Sequence, residues 1–259
     1  MNVSNSKQLI DSAIDFLKEV FQKTNKTKVV IAVSGGIDSA VSLTLATKAL
    51  GPTNVFPIFL PFAKQDMSDA KLIAEWNHIP HENWQEIQIE PVVDVLTHST
   101  DLQELNQTEA VRLGNIKARV RMLFVYDLAK KLNALVCGTE NKSEKYLGYF
   151  TRFGDEASDI EPIAHLYKTE VRAAAKSLNM PAIFWEKAPS AGLWQDQTDE
   201  QELGFTYEIA DLVMEQFLDQ KKTIGEINLP GIDQSVIQKV IDRINNMSFK
   251  LQVPYCLSK

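Results

Sequence analysis

Cysteine is nearly missing from this chain: 259 residues carry two, Cys137 and Cys256, far apart and without CxxC or Cys/His ligand spacing. That scarcity excludes a disulfide framework and argues against a structural zinc site, and a core of this size does not depend on such staples. Long apolar runs are missing too. No stretch reaches the roughly eighteen residues of a membrane span, and the amino terminus, MNVSNSKQLIDSAIDFLKEV, lacks the basic-then-apolar order of a secretion signal. Basic charge is in deficit, with 27 Lys and Arg against 34 Asp and Glu and a formal charge of −7. This argues against a surface-wide nucleic-acid binder and puts small-molecule partners first. Repeats and low-complexity tracts are absent. The resulting expectation is a cytoplasmic protein with no nucleic-acid partner and no membrane contact, forming a single domain over 1–259.

What is present is an alternation of short apolar runs with helical periodicity. Leu9, Ile10, Ala13, Ile14, Leu17 and Phe21 recur at helical spacing, and KVVIAV (Lys28 to Val33) follows as a β-branched run that reads as a buried parallel strand. DSAVSLTLATKAL reads as a helix ended by Gly51 and Pro52, NVFPIFLP as a strand interrupted by Pro57, SDAKLIAEWNH as a helix and WQEIQI as a weak strand. A long periodic segment, roughly Leu105 to Leu132, precedes the strand ALVCGTE. The alternation predicts an α/β fold, an open parallel sheet with helices on both faces, followed by a helical C-terminal part that includes DEQELGFTYEIADLVMEQFL. Such sheets bind ligands beyond their strand carboxyl ends. The turns Ser34 to Ser39, Pro61 to Asp66 and Thr139 to Glu144 are therefore the places to look. YFTRFGDEASD, Tyr149 to Asp159, reads as a long polar loop of functional length.

The first of those turns, AVSGGIDSA (Ala32 to Ala40), carries the most chemistry. Gly35 and Gly36 allow positive φ and close approach of a phosphate, and a helix start directs free N–H groups and its dipole at an anion. Ser34 and Ser39 add hydroxyls. Asp38 is the odd member, because a bare carboxylate would repel polyphosphate; it either holds Mg²⁺ against the phosphates or caps the helix. Neither GxxxxGK[ST] nor GxGxxG is present, so a different nucleotide loop is implied. SGGIDS resembles the loop of ATP enzymes that cleave between the α and β phosphates, leaving AMP and pyrophosphate.

Further stretches, in order, resemble ammonia-dependent NAD⁺ synthetases: LPFAKQDMSDA (from Leu60), GNIKARVRM (from Gly114), GTENKSEKYLGYFTRFGD (from Gly138), PIAHLYKTEV (from Pro162) and KAPSAGLWQDQTDEQELGFTY (from Lys187). The resemblance implies adenylation of the nicotinate carboxylate of deamido-NAD⁺ by ATP, attack by ammonia, and release of NAD⁺ and AMP. It also implies that Ser34, Gly35, Gly36, Ile37, Asp38 and Ser39 hold ATP phosphates, Asp38 and Glu144 ligate Mg²⁺, Thr139 and Ser190 contact ATP, and Lys168 contacts its phosphates. On the dinucleotide side it places Arg119, Arg152, Asp159 and Lys250, with Asp159 nearest the ammonia and hence the catalytic candidate.

Taken in isolation, Arg119 and Arg121 read as solvated helix residues and Lys168 as a cation at a helix start, which opposes the dipole unless an anion is near. Trp185 and Trp194 read as packing residues. The chain departs from the family pattern in Arg152 for lysine, in GDEASD for a glycine-rich segment, and in Phe249-Lys250 for His-Lys. Glutamine-using relatives carry an extra amidase domain with a cysteine nucleophile, so the resemblance implies ammonia as direct donor, no glutaminase domain, and a homodimer. Two rival readings are another adenylating enzyme of the same loop class, which would want a basic RNA surface or paired cysteines, and a regulatory module that holds ATP without turning it over.

Overall fold

In the computed structural model, residues 3–100, 102, 106–187, 199–252 and 254–257 are described. The strands are β1 (Val29–Ala32), β2 (Val55–Phe59), β3 (Gln85–Glu86) and β4 (Leu135–Cys137), all parallel in the order β3-β2-β1-β4. The helices are α1 (Val3–Thr24), α2 (Ile37–Leu50), α3 (Ser68–Trp76), α4 (Glu90–Ser99), α5 (Gln107–Leu132), α6 (Lys142–Leu147), α7 (Lys168–Ser177), α8 (Ile183–Glu186), α9 (Asp199–Leu203), α10 (Tyr207–Met214) and α11 (Gln234–Met247).

Val29, Val30 and Ile31 of the central strand are all fully buried, the sign of a strand covered on both faces. Alternation divides them. Val29 and Ile31 pack with residues of α1, α2, α3 and α7, whereas Val30 packs with Ile58 and residues of α4 and α5. A third apolar cluster lies beyond the sheet, where Leu147 of α6 meets Tyr207, Val213, Met214, Val240 and Ile241 of α10 and α11. The expected open α/β sheet and helical C-terminal part are thus both present. Among the described residues, no helix is long and apolar enough to cross a membrane.

Pro57 sits inside β2 without breaking it. Ile58 O accepts from Val33 N on the β1 side and Phe59 O accepts from Ile87 N on the other, so the missing N–H of Pro57 faces the β3 side. There β3 pairs only from Ile58 onward, and Asn83 Nδ2 covers the carbonyl of Val55 at 3.1 Å. Pro57 therefore occupies a locally free edge. Two features go beyond the periodic pattern. The segment from Asp199 to Leu218 is not one helix, because Gly204 takes φ +74° and Thr206 caps a new start at Ile209 N. Helix α4, begun by Pro91 in its first turn, occupies a stretch the sequence reading left unassigned.

Candidate active site

The turn after β1 is braced from within. Ser39 Oγ donates to Gly36 O at 3.0 Å and accepts from Ser34 N at 3.3 Å, while Ser34 Oγ accepts from Gly36 N at 3.2 Å. Ser39 and Ile37 are buried; Ser34 and Gly36 are exposed at the mouth. Gly35 takes φ +85°, and a Cβ there would stand 3.0 Å from Asp69 Cβ, so the first turn of α3 closes on the loop only because position 35 has no side chain.

Asp38 is not the cap of α2. Its Oδ2 lies 2.6 Å from Lys168 Nζ and its Oδ1 accepts from Asn141 Nδ2 at 2.8 Å. Lys168 Nζ also reaches Glu144 Oε1 at 2.9 Å, so α2, α6 and α7 each send one charged group to a single point. Lys168 is 2% exposed, so it is no solvated surface lysine, and the two carboxylates supply the anions that its place at a helix start required. Burial alone would push its pKa down, yet Asp38 and Glu144 outweigh that and hold the ammonium above the ordinary lysine range. Burial first, and then the carboxylate of Asp38, raise Glu144, against the pull of Lys168. Two carboxylates against one ammonium leave a net negative charge beside a turn built for anions.

Three residues that the sequence reading did not single out hold this geometry. Asn141, fully buried, bonds Asp38 with its amide and caps α6 by accepting from Glu144 N at 3.0 Å. Lys168 N donates to Ser143 Oγ at 2.8 Å, and Ser143 Oγ donates to Asp211 Oδ1 at 2.5 Å. Asp211 Oδ2 also accepts from Thr169 N at 2.9 Å, so the start of α7 is fixed through α6 and α10. NKSE carried a readable signal, a capping residue followed three places later by glutamate.

Next to Glu144 lies a cavity of about 40 Å³ lined by Thr139, Glu140, Glu144, Tyr149, Phe150, Asp155 and Glu156. Burial, and then Glu161, push Glu140 up to about 9. Burial likewise raises Glu161 to about 7, although its oxygens accept from Ser158 Oγ at 2.7 Å and Glu140 N at 3.1 Å. A Cβ on Gly138 would overlap the Glu161 carboxylate, which explains the glycine at this turn. The 149–159 loop is folded tightly: Thr151 N donates to Asp155 Oδ1 at 2.8 Å, and Thr151 Oγ1 donates to Asn115 Oδ1 at 2.7 Å on α5.

The dinucleotide-side residues divide. Arg119, exposed on α5, donates from Nε and Nη2 to Arg152 O at 3.3 Å, and the guanidinium of Arg152 lies 5.3 Å from the ring of Phe249. Lys250 Nζ donates to Gly148 O at 2.6 Å and Phe150 O at 2.7 Å. Arg119 and Lys250 thus both hold the stretch from Gly148 to Arg152, whose last side chain lies over Phe249. Asp159 is exposed, accepts from Val136 N of β4 at 2.8 Å through Oδ2, and does not line the acidic cavity. Ser190 and Trp194 lie outside the described residues.

Comparison with known proteins agrees with this geometry. The family model described as NAD synthase matches residues 9–254. The NH(3)-dependent NAD(+) synthetase of Fusobacterium nucleatum is 38% identical over 255 residues, covering 96% of this chain and 95% of its own. Among solved structures, an NH3-dependent NAD synthetase from Campylobacter jejuni superposes with TM-score 0.81 at 30% identity over the whole of both chains. NMN synthetase from Francisella tularensis superposes with TM-score 0.82 at 34% identity over 98% of this chain and 99% of its own. A family match over nearly the whole length, on a sheet whose first turn and buried charge cluster suit a nucleotide, shows that the chain belongs to the NAD synthase family.

Proposed function

We propose that the chain amidates deamido-NAD⁺ to NAD⁺ with ammonia, consuming ATP and releasing AMP and pyrophosphate, the last step of NAD⁺ synthesis. The observation that carries this reading is the meeting of Asp38, Glu144 and Lys168 beside the Ser34–Ser39 turn, at the carboxyl end of the central strand. A carboxylate resists ammonia until one of its oxygens becomes a phosphate leaving group. ATP is assigned with its phosphates on the backbone of Ser34 to Ser39, near Lys168 and Thr139; the contact from Ser190 rests on the family resemblance alone. Lys168 is held charged and meets the phosphate that transfers. Arg119, Arg152 and Lys250 are assigned to the dinucleotide, and Asp159, with one carboxylate oxygen taken by Val136 N, is retained beside them as the catalytic candidate.

Asp38 and Glu144 fit Mg²⁺ by donor type and place: they are hard oxygen donors, half-buried, bridged by Lys168 Nζ and next to the phosphate turn, and this ion takes its other ligands from phosphate and water. Bound there, it would neutralise charge on the triphosphate. The homodimer belongs to the same proposal. Val92, Val95 and Leu96 on α4 and Val111 and Leu123 on α5 are exposed and apolar, as an interface requires. The cytoplasm is the expected setting.

The test is incubation with ATP, Mg²⁺, ammonium and deamido-NAD⁺, followed by mass analysis. Equal yields of NAD⁺, AMP and pyrophosphate, formed only when the dinucleotide is present, are expected. ATP binding without turnover would instead support the regulatory module. Likeness to the Francisella protein favours a parallel arm with nicotinate mononucleotide, and faster formation of NMN there would move the assignment to the smaller carboxylate.

A further inference from the structure

A second cavity, of about 550 Å³, lies between the early part of α1 and the far ends of α2 and α7. Asp38 and Lys168 open α2 and α7, whereas this cavity is walled by Lys48 in the last turn of α2 and by Lys176 and Leu178 at the end of α7. At 1.5 Å per residue, the cavity stands roughly 12–15 Å from those charges along the two helices. Ile10 and Leu178 give it a buried apolar floor, Ile14 is half-buried beside them, and the exposed Lys7, Lys48 and Lys176 complete the walls. We propose that this cavity binds an organic anion with an aliphatic body, a medium-chain carboxylate, its chain on the apolar floor and its head among the three lysines. The proposal is independent of the amidation reading.

Charge selects the head group. The chain carries a formal −7, yet none of these three lysines is in an ion pair among the described residues. Asp11 is the one carboxylate in the lining, and it is in no such pair either. A cation in the last turn of a helix meets the dipole, which accounts for Lys48 and Lys176 taken singly. It does not account for Lys7, near the start of α1, or for the meeting of all three at one cavity. The carbonyls ending α7 are already taken: Ala174 O accepts from Leu178 N at 2.8 Å, Ala175 O from Met180 N at 3.1 Å and Lys176 O from Asn179 N at 3.0 Å. The ammonium groups are thus left for an outside anion. Size and lining select the body. The volume falls within the roughly 300–1,000 Å³ of small-molecule sites. Among the described residues the lining has no aromatic ring to stack on a base and no guanidinium fork for phosphate. Isoleucine, leucine and the lysine stems instead offer a surface for a saturated chain.

The test is calorimetric titration of the full chain with hexanoate, octanoate and decanoate. Affinity is expected to rise about two- to fourfold for each methylene added, because each leaves water, and to fall as sodium chloride is raised. Octyltrimethylammonium, with the chain of octanoate but the opposite charge, is expected not to bind. Lys48→Glu combined with Lys176→Glu changes two exposed positions outside the active site. It should weaken octanoate by about tenfold or more, with the melting temperature and ATP binding unchanged. Octanoate affinity should be the same with and without ATP and Mg²⁺, since the two sites lie at opposite ends of α2 and α7. Affinity that ignores chain length, binding of the ammonium amphiphile, or undiminished octanoate affinity in the folded double variant overturns the site. So does displacement of octanoate by ATP and Mg²⁺, which would place it on the nucleotide turn. Capture of the chain by anionic phosphatidylglycerol vesicles without binding of free octanoate also overturns it, and would make the lysines a membrane-facing patch.

Discussion

At the scale of single residues, the site is a set of charges whose costs offset one another. Lys168 is tolerable in the interior because two carboxylates meet it; removing it leaves Asp38 and Glu144 facing each other with no cation between them. Lys168→Ala is therefore expected to lower stability by about 3 kcal/mol in denaturant titration, as well as to abolish turnover. Asn141 separates positioning from folding. Asn141→Ser keeps a capping oxygen for α6 but loses the bond to Asp38, so its melting temperature should stay near the wild-type value while kcat falls by roughly tenfold. Glu140 gives the opposite pattern. Its folded pKa, about 9, lies above the ordinary carboxyl value of 4.5, so the folded state binds more protons than the unfolded state between those pH values, and stability falls as pH rises through them. Glu140→Gln removes a group that favours folding only when protonated. It should flatten stability against pH between about 5 and 9 and gain on the order of 1 kcal/mol at neutral pH, read by urea titration at several pH values.

At the scale of elements, each charged group of the site sits where a strand or loop gives way to a helix. Asp38 opens α2, Glu144 falls in the first turn of α6, and Lys168 begins α7, so their meeting depends on how three helix starts are aimed. Gly35 sets the first of these. Gly35→Ala would force a side chain into φ +85° and against Asp69, and should lower stability by about 1–3 kcal/mol and weaken ATP binding more than dinucleotide binding, measured by calorimetry with each ligand. Element order was legible because α1 carries strong helical periodicity, β1 opens with a β-branched run, and α2 is a long apolar stretch closed by Gly51 and Pro52. Elsewhere the local pattern understates the outcome. Pro57 is compatible with β2 because β3 starts one residue late, a fact about the neighbouring strand and not about NVFPIFLP itself. The break at Gly204 was written in the sequence as a glycine followed by a capping threonine, but the apolar period on both sides obscured it. Asp38 stayed ambiguous between cap and ligand until α6 and α7 were in place, since its partners lie more than a hundred residues away.

At the scale of the whole molecule, the site joins two of the three apolar cores. Val171 and Ala174 of α7 pack into the core on one face of the sheet, and Leu147 of α6 packs into the C-terminal helical cluster, so Lys168 and Glu144 are carried by elements rooted in different cores. The third core, under α4 and α5, has an outer surface that its own helices do not cover. Val92, Val95 and Leu96 share one side of α4 at helical spacing, and Val95 and Leu123 are 66% and 59% exposed. Apolar side chains so open to water are ordinary singly, but the row on α4, with Val111 and Leu123 exposed on α5, is apolar surface that the proposed second copy would bury. Residues on the outer face can be changed without leaving a cavity in the core, so charge placed there should separate the copies without unfolding either. Val95→Lys combined with Leu123→Lys is therefore expected to convert a dimer to a monomer in sedimentation at micromolar concentration, with the far-UV spectrum unchanged. A wild-type chain that sediments as a monomer under the same conditions would refute the dimer and leave the exposed row of α4 and α5 for a different partner.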